Sequence, residues 1–247
     1  GYFGMPQVLL KFMAINHSSE LKRSRRIATV WVIISLTAAV FIGLIGRLLF
    51  PTDLLTQSAS ESIFIAMSTS FFPPIIAGIV MAGILAATIS SSDSYLLIAA
   101  SAFSKNIYQG LMKKEATDKE VLRVSRITLI IIAVIAMIIA LDEDSVIFKV
   151  VSFAWAGFGA TFGPIILFSL FWKRTTRTGA IAGMLSGGGM VFIWKLLVRP
   201  IGGIFDIYEL LPAFILSCIV IYVVSLYTQE PSKEIQDEFD RVAHSEV

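Results

Sequence analysis

The sequence predicts an all-α integral membrane protein, and three observations carry that prediction. Of the 247 residues, 56% are hydrophobic and only 15% are charged, too little charge to cover a soluble domain of this size. The apolar residues gather into stretches long enough to cross a bilayer at about 1.5 Å per helical residue. Lys and Arg collect in alternate connections between those stretches, as expected of a chain threaded back and forth through a membrane.

The chain opens on "GYFGMPQVLLKFMAI", which has no initiating Met and no basic n-region. It is therefore not a signal peptide, and it reads as a chain already in mid-course, the expectation being a piece of a longer protein. Gly1, Gly4 and Pro6 would unwind or break a membrane helix here, and broken helices are tolerated at membrane depth where they line a cavity. Spans follow at 27–49, 73–104, 124–141, 146–172, 179–197 and 207–228. Together with the opening segment they make one transmembrane domain, 1–228. The second and fourth exceed the minimum length, which permits tilt or extension beyond the bilayer. Residues 58–72 are too short and too polar at their flanks to span, and a helix lying at the outer surface is expected. The last segment, 229–247, is a polar tail in which Ile235, Phe239 and Val242 have the spacing of a short helix.

Orientation follows from the basic residues. Lys22, Arg23, Arg25 and Arg26 precede the first span. Lys105, Lys113, Lys114, Lys119, Arg123 and Arg126 follow the second, and Lys173, Arg174 and Arg177 follow the fourth. The alternate connections carry one arginine, Arg199. Under the positive-inside rule the basic connections and the C-terminal tail are cytoplasmic.

Other function classes find little support. No basic patch interleaved with aromatics suggests nucleic acid. The single cysteine, Cys218, lies in an apolar span and reads as packing. The two histidines, His17 and His244, lie in polar stretches and cannot build a His-rich metal site. There is no HExxH, no Ser/His pairing and no second intramembrane acid opposite Asp93, so an intramembrane enzyme is not expected.

The second span holds the unusual chemistry. In "MAGILAATISSSDSYLLIAASAF", a helix at about 100° per residue places Gly83, Ala87, Ser90, Ser94 and Ser101 within about 60° of one another. Ser91 and Asp93 flank this face and Ser92 points away. Serines in membrane helices commonly bond back to the carbonyl four residues earlier and act as small packing residues. An acid inside a span costs about 2.5–3.5 kcal/mol on insertion scales and marks an ion or substrate path more often than a structural site. Hydroxyls, carbonyls and a carboxylate suit a hard cation. Spacing alone leaves packing and cation binding both open.

Elsewhere, "WAGFGATFGP" places Gly159 and Gly163 four apart, and Gly183 and Gly187 repeat the spacing, which favours close helix contact. Pro164 removes one backbone hydrogen bond in mid-helix and allows a bend.

Four stretches, "GYFGMPQVLLKFMAI", "GILAATISSSDSYLLIAASAFSKNIY", "VSFAWAGFGATFGPIILFSLFWKRTTRTGAIAGM" and "LLPAFILSCIVIYVVSLY", make the chain resemble the solute:sodium symporter family over essentially its whole length. The resemblance implies a LeuT-type core of two inverted five-helix repeats with sites near the bilayer midplane. By it, the chain starts late in core helix six, continues through core helix ten and adds two peripheral helices, without the first repeat. It further implies a Na⁺ site at the Ala87 carbonyl, Ser90 and Ser91, where Ser91 stands for the more usual Thr and keeps a hydroxyl. Asp93 and Ser94 are implied as an additional cation contact. On the substrate side it implies Tyr2, Gly4 and Pro6, with Met5 in place of the usual Gln. The activity implied is Na⁺-coupled uptake of a small amino acid, L-proline first, by alternating access in the bacterial cytoplasmic membrane, with no organic cofactor. A different solute within the family, or a transporter-like sensor module of a signalling protein, are the alternatives.

Overall fold

In lipid every backbone group must be bonded within its own segment or a closed sheet, and here the apolar stretches form helices. The computed structural model describes residues 2–17, 19–142 and 146–243, and no strand forms among them. Gly1, His244 and the acidic connection at Glu143 and Asp144 lie outside the described residues. The α-helices in order are α1 (Pro6–Met13), α2 (Glu20–Leu49), α3 (Gln57–Ser60), α4 (Ile63–Phe71), α5 (Pro74–Ser101), α6 (Asp118–Ala140), α7 (Ile147–Phe171), α8 (Arg177–Ile193), α9 (Leu210–Tyr227) and α10 (Lys233–Ala243). Six helices are long and apolar enough to cross a membrane: α2, α5 with its continuation to Met112, α6, α7, α8 with its continuation to Ile201, and α9. They are the six spans expected from hydropathy, and the chain is a multi-pass membrane protein.

The ends differ from expectation in an instructive way. α2 begins at Glu20 and not at 27, so Lys22, Arg23, Arg25 and Arg26 occupy its first turns and not a loop. Lys and Arg are good helix formers, so the helix continues past the apolar run that hydropathy detects. α6 likewise begins at Asp118 instead of 124. Its start is fixed by a capping box: Thr117 Oγ1 accepts from the Glu120 amide at 3.4 Å, and Glu120 Oε2 accepts from the Thr117 amide at 3.0 Å. Between α5 and α6 the chain runs on as a π-helix, Ala102–Met112, closed by the Lys113 amide donating to the Tyr108 carbonyl at 2.7 Å.

The chain divides into two compact units, Gly1–Thr29 with Phe148–Val247, and Val30–Ile147. In the second, the segment expected as one surface helix forms two, α3 and α4, separated at Glu61 and Ser62. The hydroxyls of Ser60 and Ser62 bond to the carbonyls of Gln57 and Ala59 at 2.8 and 2.7 Å, competing with continuation of the helix. Gly46 of α2 lets this segment approach, since a Cβ there would lie 2.8 Å from Ile63 Cδ1.

The core of the first unit is small-residue packing among α7, α8 and α9. Ala156, Ala160, Val191 and Ala213 are fully buried, with Phe153, Met190 and Leu210 against them. Gly179, Gly183 and Gly187 form a row on α8 that meets Ser225, Ile221 and Ser217 of α9. A Cβ on any of the three would overlap that partner, at 2.7 Å from Ile221 Cδ1 for Gly183 and 2.9 Å from Ser217 Cβ for Gly187. Two hydrogen bonds tie the same seam: Ser217 Oγ donates to the Gly183 carbonyl at 2.9 Å, and the Thr176 amide donates to Ser225 Oγ at 3.2 Å. The expected close contact at Gly183 and Gly187 is therefore present, and Gly179 extends it by a turn. Pro164 sits fully buried within an unbroken α7. Having no N–H, it leaves the Ala160 carbonyl without its helical donor, and a Cβ on Gly187 would overlap that carbonyl oxygen.

Candidate functional site

Because α5 is unbroken from Pro74 to Ser101, the angular positions expected along the second span are kept. Ala87, Ser90, Ser91, Asp93 and Ser94 are all exposed on the unit that carries them. Their hydroxyls are not equivalent. Thr88 Oγ1 donates to the Ile84 carbonyl at 2.9 Å, and Ser94 Oγ to the Ser90 carbonyl at 3.2 Å. Those two follow the back-bonding habit of serine and threonine in helices. Among the described residues no hydrogen bond takes the hydroxyl of Ser90 or Ser91. The Ala87 carbonyl lies one turn before Ser91, and a helical carbonyl keeps a second lone pair after its helical bond. The face thus offers three oxygens of the kind a hard monovalent or divalent cation takes. Asp93 stands at its edge.

The segment expected on the substrate side, Tyr2 to Pro6, belongs to the other unit. Tyr2–Gly4 form a single 3₁₀ turn, and Met5 is extended at φ −81° and ψ 123°. Pro6 then opens α1 at its first position, where its missing N–H costs no helical bond. The break expected from glycine and proline is present. What holds it is packing on α7. Gly4 is buried, and a Cβ there would lie 2.9 Å from the Phe158 carbonyl oxygen and 3.0 Å from Gly159 Cα and Gly163 N. The Gly159/Gly163 pair is therefore the seat of the broken segment. Phe3 sets its ring edge-on to Phe214 at 6.4 Å, Met5 is buried, and Tyr2 remains 60% exposed with its ring 6.0 Å from that of Trp155. Trp155 was not singled out in the sequence. The available signal was its place four residues before Gly159, on the face of α7 that carries the glycines.

A second group also escaped sequence reading. Glu209, just before α9, is 1% exposed. Its Oε2 accepts from Arg199 at 3.0 Å, and its Oε1 lies 3.5 Å from Lys195 Nζ. Arg199 Nε also reaches Asp206 Oδ1 at 2.9 Å. Next to Glu209, the Tyr208 hydroxyl donates to the Ser152 carbonyl at 2.5 Å. Lys195 lies within the predicted fifth span, where a lone lysine signals a partner.

Comparison with known proteins places these residues in context. The model of the sodium:solute symporter family matches residues 1–187. The chain is 39% identical over 241 residues to the high-affinity proline transporter PutP of Bacillus subtilis, covering 97% of this chain and 50% of that protein. It is 40% identical over 245 residues to the sodium/proline symporter of Haemophilus influenzae, covering 98% and 49%. It is 38% identical over 248 residues to sodium/proline symporter 2 of Staphylococcus saprophyticus, covering 98% and 48%. The chain thus spans about half the length of the curated relatives it matches. No solved structure matches it. With three quarters of its residues under one family model and relatives of this identity along nearly its whole length, the chain belongs to the sodium:solute symporter family.

Proposed function

We propose that the chain is the second-repeat half of a Na⁺-coupled symporter that takes up L-proline by alternating access across a bacterial cytoplasmic membrane, with its C-terminal tail in the cytoplasm. The observation that carries this is the pair of uncommitted hydroxyls, Ser90 and Ser91, beside the Ala87 carbonyl, in a chain whose relatives are proline symporters. Na⁺ is cargo here. It would take the Ala87 carbonyl oxygen and the two hydroxyls from this side, with the remaining ligands coming from a first-repeat helix. Asp93 and Ser94 would add a second, weaker contact. Such a site ties two elements together only while the ion is present, so it can favour one conformation of the carrier, and coupling is that difference in affinity between states.

Tyr2 would offer the amino acid an aromatic face and a hydroxyl. Gly4 and Pro6 would keep the segment broken, leaving backbone groups to meet a zwitterion. The membrane potential contributes about 2.3 kcal/mol per charge per 100 mV, in addition to the Na⁺ gradient.

The test is uptake of labelled L-proline by the full-length protein in vesicles. Accumulation should require an inward Na⁺ gradient. Replacing Ser90 and Ser91 together by Ala should raise the Na⁺ concentration for half-activation by about tenfold or more, with the amount of protein in the membrane unchanged. Na⁺ activation equal to wild type would sink the assignment.

A further inference from the structure

We propose that Glu209 is a positioning residue for the substrate-side segment: its carboxylate fixes the first turns of α7 so that Trp155 stands against Tyr2 as the second aromatic wall of the site. The inference rests on the substrate reading above for what the wall is for, but the coupling itself is geometric. Two tethers leave the Glu209 cluster and both end on the turn of α7 just before Trp155. Lys195, held by Glu209 at 3.5 Å, places its ammonium 4.5 Å from the centroid of the Phe153 ring. Tyr208, the neighbour of Glu209, donates to the Ser152 carbonyl at 2.5 Å. Trp155 follows two and three residues later, and its ring lies 6.0 Å from that of Tyr2.

Burial argues that position, and not attraction alone, is what the cluster supplies. A carboxylate 1% exposed gives up most of its hydration, and ion pairs in such places stabilise little beyond a well-packed apolar group. What they do supply is a single geometry, since Glu209 must meet Lys195 and Arg199 at once. An aromatic pair set that way suits a compact, partly apolar zwitterion with a secondary ammonium, which can lie over one ring and against the other. Loosening the first turns of α7 would break the contact between the two rings while leaving the α5 hydroxyls untouched.

The full-length protein in vesicles tests this with Glu209→Gln, Tyr208→Phe and the conservative Glu209→Asp. Glu209→Gln is expected to raise the KM for proline about tenfold, with turnover per molecule and Na⁺ half-activation within about twofold of wild type. Tyr208→Phe removes one tether without touching the buried charge and should raise KM about threefold. Glu209→Asp should recover most of the loss. A lowered turnover with unchanged KM in both Glu209→Gln and Tyr208→Phe would reduce the cluster to a structural staple and overturn the proposal.

A second measurement needs no substrate. In a background where Trp155 is the remaining tryptophan, Glu209→Gln should shift its emission to the red and increase its quenching by acrylamide. Unchanged emission and quenching would overturn the proposal by themselves. If the wild-type protein fails to accumulate proline, the substrate reading falls and the emission measurement alone decides the positioning role.

Discussion

Two rows of small and polar residues run along membrane helices of this chain, and they have opposite fates. On α8, Gly179, Gly183 and Gly187 recur every four residues, and each is pressed against a named partner on α9. On α5, Gly83, Ala87, Ser90 and Ser94 recur at three and four residues, and they are exposed. Read as letters the rows are alike. The difference lies across the interface: α9 answers the glycines with Ser217, Ile221 and Ser225 at the same four-residue interval. Within its own unit the α5 row meets no such partner, and a Cβ on Gly83 would meet nothing within 4 Å. A packing row is closed by its neighbour, whereas the α5 row stays open within its own unit, as the proposed Na⁺ contact requires.

The sharpest way to break this comparison is to put the same bulk into both rows. Gly187→Val would drive a side chain into the Ala160 carbonyl and Ser217, and backbone cannot yield as a flexible side chain does. A loss of about 3 kcal/mol is expected, read as a large drop in melting temperature of the detergent-solubilised protein or as its absence from the membrane. Gly83→Val should cost less than about 1 kcal/mol. Equal losses would mean that the α5 row is a packing row too.

Within the α5 row, the hydroxyls that are already bonded should matter less than those that are not. Ser90→Ala is expected to weaken Na⁺ activation about tenfold, while Ser94→Ala, whose hydroxyl is committed to the Ser90 carbonyl, should change it less than about threefold. The comparison is read from Na⁺ titrations of proline uptake. A larger effect at Ser94 would move the ion toward Asp93.

How much of this was legible in the sequence depended on distance along the chain. The spans were legible because hydropathy is a sum over neighbours, and the break at Gly4 and Pro6 was legible because glycine and proline act on their own backbone. Helix ends were less so: Lys22 to Arg26 are polar enough to resemble a loop, yet they are good helix formers, and the Thr117-x-x-Glu120 box that starts α6 is a local signature that hydropathy does not see. The Glu209 cluster was hidden for a different reason. Its members lie between α8 and α9, from the continuation of α8 to the residue before α9, and they act on Ser152 and Phe153 of α7, so only the folding of that connection onto α7 brings them together. Trp155 was missed likewise, because its relation to Tyr2 spans more than 150 residues of chain.

On the packed seam, Ser217→Ala should cost about 0.6–1 kcal/mol, the usual worth of an interhelical side-chain bond in a membrane protein, since it deletes the bond to the Gly183 carbonyl. It should leave Na⁺ activation unchanged. A stability equal to wild type would show that shape alone, and not the hydroxyl, joins α8 to α9.

The smallest effect is expected where a cap faces solvent, and it can be set against a cap in the seam. Thr176 starts α8 by accepting from the Gly179 amide at 3.1 Å, and it is buried, with its hydroxyl 2.8 Å from that of Thr228 and its amide on Ser225. Thr117 starts α6 through the same kind of bond but stands exposed, its partner Glu120 shared with Lys113 at 2.6 Å. Removing a cap costs about 0.5–2 kcal/mol, and the position within that range should follow burial, because an orphaned amide at an exposed end finds water and a buried one does not. Thr176→Ala should therefore fall near the top of the range and Thr117→Ala near the bottom, measured as the difference in unfolding free energy in the same detergent. A Thr117→Ala loss as large as that of Thr176→Ala would mean that the start of α6 is covered in the folded protein, and that the α5–α6 connection is no freer than the seam.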